Sequence, residues 1–488
     1  MSDKKQVFRT IGTELGVGIA RLYPPRVTID ILPDNVLLET FESYLCKDDA
    51  DKIGYNDIYD RWQTLVHVCC RWRCIVFASP RRLNLKLYCT QRRLFNSNTL
   101  DIWPALPIII YARDIQFADD VTNVIAALRH RDRVCKIYYD PIQDSMLEEF
   151  AAIDEPFPAL TSLHLTCFAP NVPVLPDSFL GGSAPQLRSL YLGGIPYPTI
   201  GTLLSSTTNL VHLSLWNIPR SGYISPETIV PCLSTSSRLE SLELRFEHPR
   251  SQAQRASRQP PPLTRLVFPN LTYLRFRGDI EYLEDILSRI ETPMLNENNF
   301  YFFNQLVFDT PLLGYFIRRT IPFMAIHRAR LLFQDRAIQV VLLGREEMTK
   351  NNRKVLDVMI NCHALDWQFS AVAQFLDSFL SSLLALETLD IIVSHKDWQD
   401  EIEVIQWREC LYSFTSVKTM TLESEDPVRL IAPSLQEFAE ERATRVLPAL
   451  QNLFLRAYSS QPLGHFKEAI DRFVVARQFY GQPVTVHY

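Results

Sequence analysis

From Phe157 onward the chain repeats one arrangement of apolar and polar positions. The segments FPALTSLHL, APQLRSLYL, TTNLVHLSL, SSRLESLEL and FPNLTYLRF share the frame L-x-x-L-x-L. It is filled by Leu160/Leu163/Leu165, Leu187/Leu190/Leu192, Leu210/Leu213/Leu215, Leu239/Leu242/Leu244 and Leu271/Leu274/Phe276. The last two apolar residues of each copy are two apart, which places them on one face of a short strand and their neighbours on the other. One copy cannot bury such a face alone, so the copies stack. Looser copies precede them at Leu106/Ile109/Tyr111 and Val134/Ile137/Tyr139, and SPRRLNLKLYC alternates as a first strand. The frame returns at Leu386/Leu389/Ile391, Val417/Met420/Leu422 and Leu450/Leu453/Leu455. Between Phe300 and Leu343 the apolar runs RARLLF and AIQVVLL read as strands whose register the pattern does not fix.

Helical spacing fills the connections. It predicts helices over 119–129, from Pro226, over 280–290, from Pro311, and over 369–384, 402–412 and 465–480. The helix from Pro226 has Ser225 as its cap, and Pro231 keeps it short. Gly481 ends the last helix before a closing strand VTVHY. First frame leucines 23 to 32 positions apart have the period of a leucine-rich repeat. The fold class is therefore α/β: an irregular leucine-rich-repeat solenoid, or horseshoe, with concave parallel strands and outer helices. Its clear repeats span 157–276 and 383–456, and a cap covers 465–488. Aligning the copies puts His164, Tyr191, Ser214, Glu243 and Arg275 in one solvent-facing column, beside Trp216, Arg245, Arg277, His212 and Tyr273. Aromatic and arginine side chains are those most often found at binding hot spots. Tyr191, Trp216, Glu243, Arg245, Tyr273, Arg275 and Arg277 are the candidate substrate-binding residues. Five arginines between 245 and 265 lie in a polar loop.

The start of the chain has a different pattern. Residues 1–28 read as a flexible leader. ILPDNVLLETFESYL then places Val36, Leu37, Phe41, Tyr44 and Leu45 at helical spacing. After a polar insertion at 47–61, WQTLVHVCCRWRCIVF resumes it with Leu65, Val68, Cys69, Trp72, Ile75 and Val76. His67, Cys70 and Cys74 share a helix face there, but no fourth ligand is spaced to join them. Cys69 is expected inside the core and no metal is expected. The ten cysteines contain no CxxC, as for reduced thiols of a cytosolic or nuclear protein. Lys+Arg 50 against Asp+Glu 55 gives no excess of positive charge for nucleic acid or an anionic membrane. No apolar run approaches the roughly 18 residues of a membrane span.

Leu32-Pro33, Leu37, Phe41, Leu45 and then Val68, Trp72 and Ile75 resemble the F-box, and with the repeats the chain is similar to fungal F-box proteins with C-terminal leucine-rich repeats. The resemblance implies a short helical F-box at 29–78 followed by the solenoid at 79–488. It further implies an adaptor subunit of an SCF-type (Skp-cullin-F-box) ubiquitin ligase, in the cytoplasm or nucleus. Leu32, Pro33, Leu37, Phe41, Leu45, Leu65, Val68, Trp72 and Ile75 would dock a Skp-type adaptor of the cullin complex, and the repeats would hold a protein substrate. A leucine-rich-repeat scaffold independent of ubiquitin ligation is the alternative. The sequence carries no phosphate loop, H-E-x-x-H or G-x-S-x-G, so neither an enzyme nor a cofactor is expected.

Overall fold

The computed structural model of the chain describes residues 29–45, 61–90, 105–113, 119–250, 262, 264–304, 310–320, 326–345, 352–362, 365–377, 386–394, 404–423, 427–428, 430–432, 434–435, 446–456 and 464–488. The leader at 1–28, all of the 47–61 insertion but Arg61, and residues 251–261 of the arginine-rich loop lie outside them. The chain forms two compact units: residues 1–89 with 95–109, and residues 90–94 with 110–488.

The first unit is built from helices Asp34–Leu45, Arg61–Val66 and Cys70–Ala78 and the strand β1 (Leu87–Thr90). Leu37 and Phe41, four apart, turn to the same side and are buried with Leu65, Val66, Ile75 and Val76. The Phe41 ring lies 4.7 Å from that of Trp72. The pattern that reads as one helix from 62 to 77 breaks in two because Cys69 is extended. Its Sγ accepts from the Trp72 amide at 3.4 Å as an N-cap, which holds Cys69 half-buried at a helix end instead of in the core. Arg71 ties the helix entrance down by donating to Asp34 and to the Leu32 carbonyl, each at 2.6 Å.

The second unit is an open sheet. Its strands are β2 (Ile108–Arg113, from Ile110 onward), β3 (Val134–Asp140), β4 (Ser162–Thr166), β5 (Ser189–Gly193), β6 (His212–Ile218) and β7 (Ser241–Phe246). They continue through β8 (Leu266–Val267), β9 (Tyr273–Gly278), β10 (Ile290–Glu291), β11 (Glu297–Phe302), β12 (Ile326–Gln334), β13 (Ala337–Arg345) and β14 (Asn352–Asn361). The last are β15 (Thr388–Val393), β16 (Thr419–Glu423), β17 (Asn452–Arg456) and β18 (Thr485–His487). The strand order is β2-β3-β4-β5-β6-β7-β9-β11-β14-β13-β12-β15-β16-β17-β18, while β8 and β10 form a separate pair. Neighbours from β3 to β11 and from β15 to β18 are parallel. Between these arrays the chain runs β12, β13, β14 as an antiparallel meander laid back toward β11. Its middle strand alone opposes the others, so β14 is parallel to β11 and β12 is parallel to β15. That arrangement resolves the register between Phe300 and Leu343.

Frame leucines set which face is covered. Leu163, Leu165, Leu190, Leu192, Leu213, Leu215, Leu242 and Leu244 are all nearly inaccessible, whereas the intervening residues are half-buried or exposed. Each buried leucine contributes roughly 1.5–3 kcal/mol. Copies are also stitched edge to edge: Asn209 and Asn270, each just before a frame leucine, donate to Pro185 O at 3.2 Å and Ser237 O at 2.8 Å of the preceding copy. The frame at 106/109/111 is shifted by one. Ile108, Ile110 and Ala112 point inward and Tyr111 turns to the other face, since a slip of one residue exchanges the two faces of a strand.

The connections are helical at Asp119–Leu128, Pro226–Cys232, Ile280–Arg289, Pro311–Thr320, Leu365–Asp377, Val404–Tyr412 and Gly464–Phe479. Ser225 stands at the second of these as its N-cap residue, but its Oγ lies 3.1 Å from Thr228 Oγ1 and caps no backbone amide. Gly481, at φ +74°, terminates the last helix. The fully buried Arg477 anchors that helix by donating to the carbonyls of Leu447, Pro448 and Leu450.

Candidate functional site

Strand pairing extends the expected column well beyond the five clear copies. Tyr138, His164, Tyr191, Ser214, Glu243, Arg275, Asn299 and Asp357 are register partners on successive strands, on the face opposite the leucines. At one end the column is a stack of rings. Tyr111–Tyr138, Tyr138–His164 and His164–Tyr191 have centroids 4.8, 4.3 and 3.9 Å apart and nearly parallel planes. A strand spacing of about 4.8 Å holds flat side chains at such separations without further support. Burial in the stack pushes Tyr138 and Tyr191 up to about 12, with Asp140 and Glu243 respectively adding to it. The same burial draws His164 below its ordinary value, against the pull of Asp140.

Trp216 sits beside this stack, 6.4 Å from Tyr191. A register shift between Leu215 and Ile218 sets an extra residue of β6 against β7, with Asn217 at φ +54°. The opposite neighbour is Gly193, where any Cβ would come 2.3 Å from Trp216 Nε1. Bulge and glycine together make the space for the indole.

Further along, at the middle of the sheet, the column is charged. Glu243 and Arg245 on β7 face Arg275 and Arg277 on β9. The Glu243 carboxylate accepts from Ser214 Oγ at 2.6 Å and from Arg245 at 3.5 Å, and pairs with Arg275 at 3.5 Å. Arg245 lies over the Trp216 ring at 5.6 Å, and Arg277 over Tyr301 at 4.9 Å and Phe303 at 5.6 Å. Tyr273, half-buried, and His212, exposed, lie on the same face two residues before Arg275 and Ser214. Beyond the ends of these strands a cleft of about 680 Å³ is lined by Phe168, Asn217, Arg220, Glu247 and His248 among others.

Tyr111, Tyr138 and Tyr301 belong to this face and the repeat alignment did not place them there. Tyr138 could have been found, since it precedes Tyr139 as His164 precedes Leu165. Tyr301 stands in a copy that keeps only its first frame leucine, Leu295, with Asn298 and Phe300 at the other two frame positions, so the frame is hard to read there.

In the helical unit the nine candidate docking residues separate. Pro33 and Val68 are exposed, and Leu32, Leu45 and Trp72 half-buried. Leu37, Phe41, Leu65 and Ile75 are core residues, between 0% and 8% exposed, which corrects their place in a docking surface: at helical spacing they are the residues that hold the helices together. Among the described residues, the large apolar side chains the unit does expose are Ile29, Ile31, Val36, Tyr44 and Val68. Val36 and Tyr44, two turns apart, lie on one face of their helix.

His67, Cys70 and Cys74 are exposed. Among the described residues no group of three or more His, Cys, Asp or Glu gathers in a metal-holding arrangement, and no helix is long and apolar enough to cross a membrane.

No protein-family model matches the chain, and no curated protein matches it. Among solved structures, the leucine-rich-repeat-containing protein LegL7 from Legionella pneumophila is similar at a TM-score of 0.26 and 12% identity, over 80% of this chain and 97% of that one. The leucine-rich-repeat reading rests on the chain's own L-x-x-L-x-L frame and on the in-register strands it forms.

Proposed function

We propose that this chain is the substrate-recognition subunit of an SCF-type ubiquitin ligase. Its helical unit docks a Skp-type adaptor of the cullin complex, and the ring-and-arginine face of the repeats binds a protein substrate. It performs no catalytic step and works in the cytoplasm or nucleus. The observation that carries this reading is the set of large apolar side chains that one small helical unit leaves in solvent, with Ile31 64% and Val68 56% exposed. Exposed apolar side chains sharing a helix face, as Val36 and Tyr44 do, offer a surface that a partner would cover. Leu32 and Pro33 stand at the helix entrance beside it, where the F-box resemblance puts adaptor contacts.

The test is co-purification of the full chain with a Skp-type adaptor. Ile31→Asp with Val36→Asp is expected to abolish the complex without lowering the melting temperature, because neither side chain is in the core. Leu37→Asp is expected to unfold the unit instead. No complex between the wild-type chain and the adaptor in a purified mixture, with partner binding by the repeats intact, would replace the ligase reading with that of a repeat scaffold.

A further inference from the structure

A pocket of about 130 Å³ lies among the Ile280–Arg289 helix, the Pro311–Thr320 helix and the segments around β8 and β10, and none of the described residues lining it belongs to the long sheet. Leu287, Ile290 and Phe316 give it an apolar lining and are nearly inaccessible. Thr292 lines it too, is 1% exposed, and its Oγ1 is shielded from solvent without a hydrogen-bond partner. Leaving a buried hydroxyl unpaired carries a desolvation cost that a bound acceptor would remove. Charge stands among the more exposed lining residues. Arg319 pairs with Glu291, which leaves Arg265 as a positive charge with no carboxylate partner among the described residues. Its guanidinium lies over the Tyr315 ring at 5.9 Å. Stacking of this kind orients the guanidinium fork while leaving its N–H edges able to donate.

We propose that this pocket binds a small monocarboxylic acid with a branched or cyclic apolar body. An apolar cavity of about 150 Å³ lined by leucine, isoleucine and phenylalanine takes a benzene ring, so the space here suits a body of about five or six carbons. The carboxylate matches the one uncompensated guanidinium, which it can meet through two parallel N–H···O bonds. It also offers further lone pairs to the Thr292 hydroxyl. A neutral hydrocarbon would leave Arg265 and Thr292 unmatched, and a primary amine would meet Arg265 as a like charge. The site takes no described residue from the strand face or the helical unit, so its occupancy does not depend on the ligase reading.

The test titrates isocaproate and cyclohexanecarboxylate into the full-length protein, with the NMR signals of the added compound reporting binding. Isohexanol, cyclohexylmethanol, isohexylamine and acetate are the comparisons. Both larger acids are expected to bind about tenfold or more tightly than the matched alcohols, the amine or acetate. Arg265→Gln is expected to remove the preference of acid over alcohol while leaving alcohol binding in place. Thr292→Val, which keeps the shape and removes the hydroxyl, is expected to weaken acid binding severalfold and to raise the melting temperature of the ligand-free protein. Those opposite signs separate a lost ligand contact from a folding defect. Binding of none of the compounds, equal or tighter binding of alcohol or amine, acetate binding as tight as that of the larger acids, or an acid preference that survives Arg265→Gln would overturn the proposal. So would unchanged acid binding by Thr292→Val, or a fall in its ligand-free melting temperature, which would show the hydroxyl already paired.

Discussion

At Gly193 the absence of a side chain decides what a neighbouring strand can carry. An alanine methyl there would meet Trp216 Nε1 at 2.3 Å, so Gly193→Ala is expected to displace the indole and cost about 1–3 kcal/mol. Combining it with Trp216→Ala should recover most of that loss; equal melting shifts in both backgrounds would show that the contact is not the cause. His164 gives a pH-dependent counterpart. Its folded value lies below the ordinary one, so the unfolded chain binds the proton first as pH falls. Stability should then decline as pH drops below about 6.5. His164→Gln is expected to flatten that decline in thermal melts taken between pH 8 and 5. Inward leucines were legible from the sequence because only one face of each strand is covered. The ring of Tyr301 was not, because a solvent-facing position tolerates any residue and only pairing with the next strand gives it meaning.

Among elements, the Pro311–Thr320 helix owes its start to another copy. Glu284, itself buried in the Ile280–Arg289 helix, accepts from the amides of Leu312 at 3.0 Å and Leu313 at 2.8 Å. Carboxylates at a helix N-terminus satisfy orphan donors and meet the positive end of its dipole. Glu284→Ala should therefore cost about 1–2 kcal/mol. Hydrogen exchange at Leu312 and Leu313 should accelerate more than at helix centres; unchanged exchange there would mean that other groups cap the helix. The sequence announced this helix through Thr310-Pro311 but could not show the capping carboxylate 28 residues away. The meander was hidden for a related reason. Strands such as AIQVVLL are covered on both faces, with Val340, Val341, Leu342 and Leu343 all buried. They read as continuous apolar runs in which neither face nor partner is marked.

For the whole molecule, stacked copies couple through nearest neighbours. Leu213→Asp buries a charge in place of a fully buried leucine. Exchange protection is expected to be lost first in β5 and β7, which flank β6, and to persist in β15, β16 and β17. Uniform loss across both arrays would instead show that the sheet unfolds as one unit.

The meander also has a consequence for synthesis. Each parallel strand up to β11 meets its partner one copy later, but β11 must wait for β14, whose Leu356 pairs with Asn298. At 5–20 residues per second the ribosome needs roughly 3 to 12 s to supply that stretch. During the interval β11 is the unpaired edge of a finished array, carrying Phe300 and Phe302. Nascent chains on neighbouring ribosomes can pair at that edge. The burden this protein places on co-translational chaperones is thus concentrated in the time needed to make β12, β13 and β14.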